Sequence, residues 1–259
     1  MSRPVAYKDE EFLESDDGRS LRIQAEYLDP LRIFRLEHIR DTIVFFGSAR
    51  LARDGPFGSY YEEARKLAYL VTTWSKSLTS HVHQYIVCSG GGGGIMEAAN
   101  RGASEAGGRT IGLNIGLPHE QRPNPYITRE LSFQFRYFFM RKLWFAHLAR
   151  ALIAFPGGFG TLDELTEILT LAQTRKFDRH IPVLLYGSRY WKEIVNFDAL
   201  ARYGMISGED LKLFTYVDDP DHALALLKSA LTPEPDRRTP AIASSRTPGP
   251  VKKQGSVPQ

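Results

Sequence analysis

Twice in this chain a short apolar run stops at a cluster of glycines and gives way to a helical pattern. Tyr85–Cys88 (YIVC) runs into Ser89–Gly94 (SGGGGG) and then a helix from about Ile95. Ala151–Phe155 (ALIAF) runs into Pro156–Gly160 (PGGFG) and then a helix over Leu162–Thr174. Ordering glycine is entropically expensive, so clustered glycines mark places where the backbone turns sharply or comes close to something. Strand, glycine turn and helix in that order make the repeating unit of a parallel sheet. In an open sheet of this kind ligands bind beyond the carboxyl ends of the strands. A helix N-terminus there offers unpaired N–H groups and partial positive charge, which suit a phosphate.

The rest of the chain continues the pattern. Thr42–Gly47 (TIVFFG), Arg109–Ile115, Leu131–Phe135 and Ile181–Tyr186 (IPVLLY) read as strands, and Tyr60–Trp74, Phe138–Leu148 and Ala223–Leu231 as helices. Near-continuous apolar strands separated by helices predict an α/β, Rossmann-like open parallel β-sheet flanked by helices on both faces, in a single domain. That domain is expected over residues 19–231. Residues 1–18 are polar and read as a mobile extension. Thr232–Gln259 holds six prolines and almost no large apolar side chain, so it is expected to be a disordered basic tail.

Charge and cysteine content narrow the function. The tail carries five basic and two acidic residues, which is the whole formal net charge of +3 and leaves 28 of each sign elsewhere. A neutral body gives no support for a nucleic-acid face. No apolar stretch is long enough for a membrane span and the N-terminus lacks a secretory apolar core, so a cytoplasmic protein without membrane attachment is expected. The lone Cys88 allows no intrachain disulfide. The histidines are scattered, and His81 and His83 have no neighbouring cysteines, so no metal is expected.

Three stretches carry chemistry. In Ser89–Gly102 (SGGGGGIMEAANRG) the spacing fails the dinucleotide fingerprint, because the sixth position counted from Gly90 or Gly91 is Ile95 or Met96; no GK[ST] follows either. The run fits an anion or nucleotide contact, or a turn packed close to its helix. In Ala154–Glu167 (AFPGGFGTLDELTE), Pro156 marks the exit from the sheet and Thr161 is the N-cap candidate. Asp163 and Glu164 then fall in the first turn. Carboxylates there complement the helix dipole, or face the hydroxyls of a ligand whose phosphate sits on the glycine turn. In Phe135–Phe145 (FRYFFMRKLWF), Arg141 and Lys142 interrupt an aromatic helix, either as snorkelling side chains or as a guanidinium held at the site with fixed forked donors.

PGGFGTLDE resembles the PGGxGTxxE signature of the Lonely Guy (LOG) family of cytokinin-activating phosphoribohydrolases, long labelled lysine decarboxylase-like. The glycine run with IMEAANRGA, the MRK of the aromatic helix and the strand VFFGSAR resemble that family too, in the right order over residues 40–190. The resemblance implies a dimer or higher homo-oligomer with sites near the dimer interface. It implies hydrolysis of the N-glycosidic bond of a nucleoside 5′-monophosphate to free base and ribose 5-phosphate, with no cofactor. The family's catalytic arginine and glutamate fall on Arg141 and Glu164, and its loop residues on Gly157, Gly158, Gly160 and Thr161. Gly91, Gly92, Gly93, Gly94, Met96 and Lys142 are expected among the substrate contacts, with Ser48 and Arg50 past the first strand. Glu97 stands where many short members have glycine, and is a second carboxylate candidate.

Glycoside cleavage passes through an oxocarbenium-like state, which a carboxylate near the sugar stabilises. Glu164 is expected in that role, Arg141 in binding substrate and helping the base depart, and Gly157–Thr161 in holding the phosphate. Decarboxylation would need a Schiff-base lysine, and Lys142 has nothing around it to set it apart. A non-catalytic nucleotide or cofactor carrier is the alternative; it would need the glycine turns but not Arg141 and Glu164 together.

Overall fold

The computed structural model describes residues 3–78, 84–116, 122–177 and 179–231. The tail Thr232–Gln259 and the His81/His83 pair lie outside them. Among the described residues seven parallel strands form one sheet: β1 Thr42–Phe46, β2 Ile86–Ser89, β3 Thr110–Ile115, β4 Ser132–Phe135, β5 Ala149–Ala154, β6 Val183–Tyr186 and β7 Phe214–Val217, in the order β4-β3-β2-β1-β5-β6-β7. The α/β parallel architecture expected from the apolar runs is the one observed.

Side-chain alternation along β1 builds two cores. Val44 and Phe46 face one layer with Cys88, Leu152, Trp144, Phe145 and Trp191. Ile43 and Phe45 face the other with Val87, Ile153, Leu67, Val71 and Ile95. Both faces being apolar is what hides a parallel sheet from water on each side. On the second face lie α3 (Gly58–Ser77), α4 (Ile95–Glu105) and α9 (Pro220–Ala230); on the first lie α2 (Arg19–Leu36), α5 (Phe138–Leu148), α6 (Phe159–Gln173) and α7 (Ser188–Ile194). Trp191 is fully buried, and its indole N–H donates to the carbonyls of Ala154 (2.9 Å) and Tyr186 (3.0 Å). This pairing removes the penalty of burying its one polar atom.

Several elements go beyond the sequence expectation. Residues 6–14 hold a 3-10 turn (Ala6–Lys8) and α1 (Glu10–Glu14), capped by the Asp9 carboxylate, and lead into α2. A short α8 (Phe197–Arg202) follows α7, and β7 closes one edge of the sheet. Helix α2 carries many charges and Pro30, and β7 is only four residues long and partly exposed, so neither shows a clean apolar period. Among the described residues no helix is long and apolar enough to cross a membrane.

Chain direction sets the place of the site. From β1 the chain winds one way through β2, β3 and β4; α5 then returns it to β5 on the other side of β1. The carboxyl ends of β1, β2 and β5 therefore border the crevice at the reversal of strand order. Two hydrogen bonds hold the loop after β1 against both glycine turns. Ser48 N–H donates to Pro156 C=O (3.0 Å), and Ile95 N–H donates to Ser48 C=O (3.1 Å).

Candidate active site

A cleft of about 730 Å³ opens at this reversal. Its walls are Gly47–Leu51 after β1, Met96 on α4, Arg141 on α5, Pro156–Leu162 after β5, Glu164 on α6, and Tyr190 and Ile194 on α7. Of the expected site residues it gathers Ser48, Arg50, Met96, Arg141, Gly157, Gly158, Gly160, Thr161 and Glu164.

Arg141 and Glu164 form an ion pair inside the cleft. The guanidinium Nη2 donates to Glu164 Oε1 at 3.0 Å, with the two side chains only 10% and 11% exposed. The guanidinium carbon lies 5.2 Å from the ring centre of Phe138 and 5.6 Å from that of Phe145, so aromatic faces fix its plane. Its Nε is buried without a hydrogen-bond partner among the described residues. Burial pushes the Glu164 carboxyl up to about 7; Arg141 opposes this, and Asp163 adds to it. Burial lowers the Arg141 pKa, with Glu164 pulling the other way. A carboxyl that titrates near neutrality beside a fixed cation is what acid–base or charge-stabilising chemistry requires.

The second glycine turn is built differently from its sequence expectation. Helix α6 starts at Phe159 with Gly158 as N-cap, so Thr161 is not the cap. The helix begins three residues early because Phe159 and Gly160 already take helical geometry, and Leu162 N–H donates to Gly158 C=O at 3.0 Å. Asp163 and Glu164 consequently lie in the second turn, and the first turn holds no acid. The N–H groups of Phe159, Gly160 and Thr161 precede the first intrahelical bond and have no acceptor within the helix. Thr161 is buried instead, and a methyl group on Gly157 would collide with its hydroxyl. Gly158 and Gly160 face open space: a Cβ on either would meet none of the described residues within 4 Å. The Tyr190 hydroxyl, which the sequence did not single out, ties the turn down by donating to Gly157 C=O at 2.6 Å.

Other expected residues sit outside the cleft walls. Gly91 and Gly94 have φ of +75° and +61° and are packed against Asn114 and Ser48 respectively, while Gly92 and Gly93 also lie off the walls. Glu97 accepts a 2.8 Å bond from the Tyr61 hydroxyl. Lys142 pairs with Asp163 (3.2 Å) and Glu167 (3.3 Å). Within the cleft, the Ser48 hydroxyl accepts from Arg50 N–H at 3.0 Å, and the Arg50 side chain is exposed.

A buried amide network that the sequence reading missed supports the first turn. Asn124 Nδ2 donates to Gly91 C=O (3.1 Å), Gly92 C=O (3.0 Å) and Asn100 Oδ1 (2.9 Å), and the Ser89 hydroxyl donates to Asn100 Oδ1 at 2.6 Å. The Asn124-Pro125 dipeptide is a turn signal, but nothing in it points to a partner over thirty residues back.

The family described as "Possible lysine decarboxylase" matches residues 96–227, just over half of the chain and a span that includes Arg141, the second glycine turn and Glu164. The chain belongs to this family, the Lonely Guy (LOG) family. A probable cytokinin riboside 5′-monophosphate phosphoribohydrolase, LOGL5 of Oryza sativa subsp. japonica, is 30% identical over 158 residues, which are 54% of this chain and 63% of that protein. The cytokinin riboside 5′-monophosphate phosphoribohydrolase LOG3 of Arabidopsis thaliana is 32% identical over 126 residues, 47% of this chain and 56% of that protein. The matches thus span less than two thirds of these LOG relatives. The solved structure of TM1055 superposes with a TM-score of 0.53 at 20% identity, over 73% of this chain and 99% of that one. The molybdenum cofactor binding protein of Rippkaea orientalis gives 0.51 at 20% identity, over 74% and 98%. These two likenesses carry the fold.

Proposed function

We propose that this LOG-family chain hydrolyses the N-glycosidic bond of a nucleoside 5′-monophosphate, AMP or an N6-modified AMP such as a cytokinin nucleotide. Water adds at C1′, the C1′–N bond breaks with its electron pair leaving on the base, and the proton released by the water ends on the base. The products are free base and ribose 5-phosphate. The observation that carries this reading is the Arg141–Glu164 pair set beside an open glycine turn.

Each part has a physical task. The free N–H groups at the start of α6, with Gly158 and Gly160 clearing the approach, hold the 5′-phosphate. Binding energy from the phosphate orients the ribose over Glu164. The ionised Glu164 then stabilises the positive charge that develops at C1′. Arg141 keeps a fraction of that carboxyl ionised at neutral pH and offers its remaining donors to the substrate. The half-exposed Phe138 and Phe139 and the almost bare Phe159 support assembly into a homo-oligomer. A Schiff-base reaction finds no fit, because no lysine lines the cleft among the described residues and Lys142 is ion-paired outside it.

A product assay tests the proposal. The purified protein is incubated with AMP, isopentenyladenosine monophosphate, GMP, CMP and UMP, and free base is resolved by chromatography. Base release is expected, reduced at least about 100-fold in Glu164→Gln and Arg141→Ala. Tight nucleotide binding with no release from any of them would overturn hydrolysis and establish the carrier reading.

A further inference from the structure

The N-terminal helix α2 lies outside the matched region, yet it grips the segment that starts α5. Glu26 reaches from α2 to the two peptide groups just before that helix. Its Oε1 accepts from Arg136 N–H at 2.7 Å and its Oε2 accepts from Tyr137 N–H at 3.3 Å. Tyr137, the N-cap residue of α5, makes no side-chain cap bond of its own. Glu26 thus supplies from another helix both the acceptors and the negative charge that a helix N-terminus favours.

Three further contacts lock the same joint. Trp144 Nε1 donates to Glu26 C=O at 3.0 Å, and the Trp144 ring stacks 5.6 Å from that of Tyr27. Arg22 Nε donates to the Tyr137 hydroxyl at 3.2 Å, and its Nη1 donates to the carbonyls of Leu13 and Ser15 (2.7 Å to the latter). Arg136 Nη1 reaches the Glu14 carboxylate at 2.8 Å. Arg141 follows directly from this joint. Its N–H donates to Tyr137 C=O at 3.2 Å, and the adjacent Phe138 supplies one of the rings against its guanidinium. The peptide that Glu26 holds therefore belongs to the residue from which the Arg141 turn of helix hangs.

We propose that Glu26 is a positioning residue: by fixing the Tyr137 peptide it sets the turn of α5 that places Arg141 against Glu164. Glu26 does not itself line the cleft. Its kinetic consequence rests on the hydrolase reading above, whereas its effect on the pair does not.

The test reads the pair directly. Glu164 is faced by Arg141 and Lys142 from α5, by Asp163 and Glu167 on its own helix, and by the Cys88 thiol of β2. Of these, Arg141 is the strongest influence holding its pKa down. The full chain, labelled with ¹³C at glutamate side-chain carboxyls, is titrated by NMR, with Glu164→Gln identifying the signal. In Glu26→Ala the Glu164 midpoint is expected at higher pH than in the unsubstituted protein, with kcat lowered at least about tenfold and KM little changed. Glu26→Gln, which keeps one acceptor oxygen, is expected between the two. Tyr137→Phe, which removes the Arg22 Nε bond to the joint, is expected to shift the midpoint in the same direction. Midpoints in folded Glu26→Ala and Glu26→Gln that coincide with the unsubstituted protein would overturn the proposal. If Glu26→Ala does not fold, the same comparison of Glu26→Gln and Tyr137→Phe decides it. A chain that releases no base from any nucleotide defeats the hydrolase reading, and the titration still decides this one.

Discussion

A methyl group added at Gly94 would collide with the backbone carbonyl of Ser48, whereas one added at Gly160 would meet nothing within 4 Å. Both residues open a helix at the carboxyl end of a central strand, and both belong to a glycine-rich turn. In the first turn the protein itself fills the space. Gly91 and Gly94 adopt positive φ, Asn114 and Ser48 press on them, and Asn124 consumes the carbonyls of Gly91 and Gly92. In the second turn Gly158 and Gly160 leave space that no part of the described chain occupies, beside a helix end with free N–H groups and an ion pair in the cleft. Clustered glycine thus reports close approach in both places, by the chain itself in one and by the proposed ligand in the other.

Breaking the first turn should give the largest stability effect. Gly94→Ala forces a side chain into the left-handed region against a backbone carbonyl that cannot swing away. A loss of roughly 3 kcal/mol of folding stability is expected, read from the urea midpoint. A loss below about 1 kcal/mol would show that the turn relaxes easily and is not held by packing. Asn124→Ala attacks the same turn from outside. It removes the side-chain amide from Gly92 C=O and Asn100 Oδ1, while Gly91 C=O keeps the backbone N–H of residue 124 at 2.8 Å, and roughly 2 kcal/mol is expected to be lost. Asn124→Asp should not restore it, because a carboxylate has no N–H to give.

The parallel sheet was legible because β1, β2 and β6, and β5 beyond Arg150, are buried on both faces and read as largely apolar runs. The Arg141–Glu164 pair was legible only through the resemblance, since 22 residues and a strand separate the two motifs and no local pattern joins them. What escaped has physical reasons. Thr161 has the chemistry of an N-cap, but Gly157 packs against its hydroxyl and the helix starts earlier, at residues whose side chains give no capping signal. Glu26, Asn124 and Tyr190 act on backbone groups, and backbone groups leave no trace in sequence spacing. The first glycine run was open to both readings from sequence. What favours packing there is Asn114, a residue on the neighbouring strand β3.

The second turn's carboxylate should leave a signature in stability against pH. The folded-state pKa of Glu164 is raised to about 7 from an ordinary 4.5. Between those values the folded state binds the proton more tightly than the unfolded state does. Stability from this group is therefore fully present below pH 4.5 and declines as pH rises through about 7. Glu164→Gln should remove that decline. The difference between the two proteins across this window is expected to change by roughly 2 kcal/mol, the full shift being discounted for the residual exposure of the side chain. A difference constant from pH 4 to 8 would mean that the carboxyl titrates normally, and the neutral-range chemistry assigned to it would fall. Activity should run the opposite way, with base release rising with pH to about 7 as the carboxylate forms.

Gly160→Ala separates the two turns with the smallest change in stability. Alanine is a better helix residue than glycine, the position lies in the first turn of α6, and the added methyl meets no neighbour. Folding stability should rise by roughly 0.5 kcal/mol, the reverse of the outcome at Gly94. The same methyl projects into the space through which a phosphate would reach the N–H groups of the turn. AMP affinity measured by calorimetry should therefore fall at least about tenfold, even though the protein is the more stable of the two. A variant that is more stable and binds AMP as before would mean that the open space holds only solvent. The phosphate would then have to lie elsewhere along the cleft, and the contrast between the turns would be one of packing alone. If stability rises while affinity falls, the empty volume above Gly160 is space kept for the ligand, as the hydrolase reading requires.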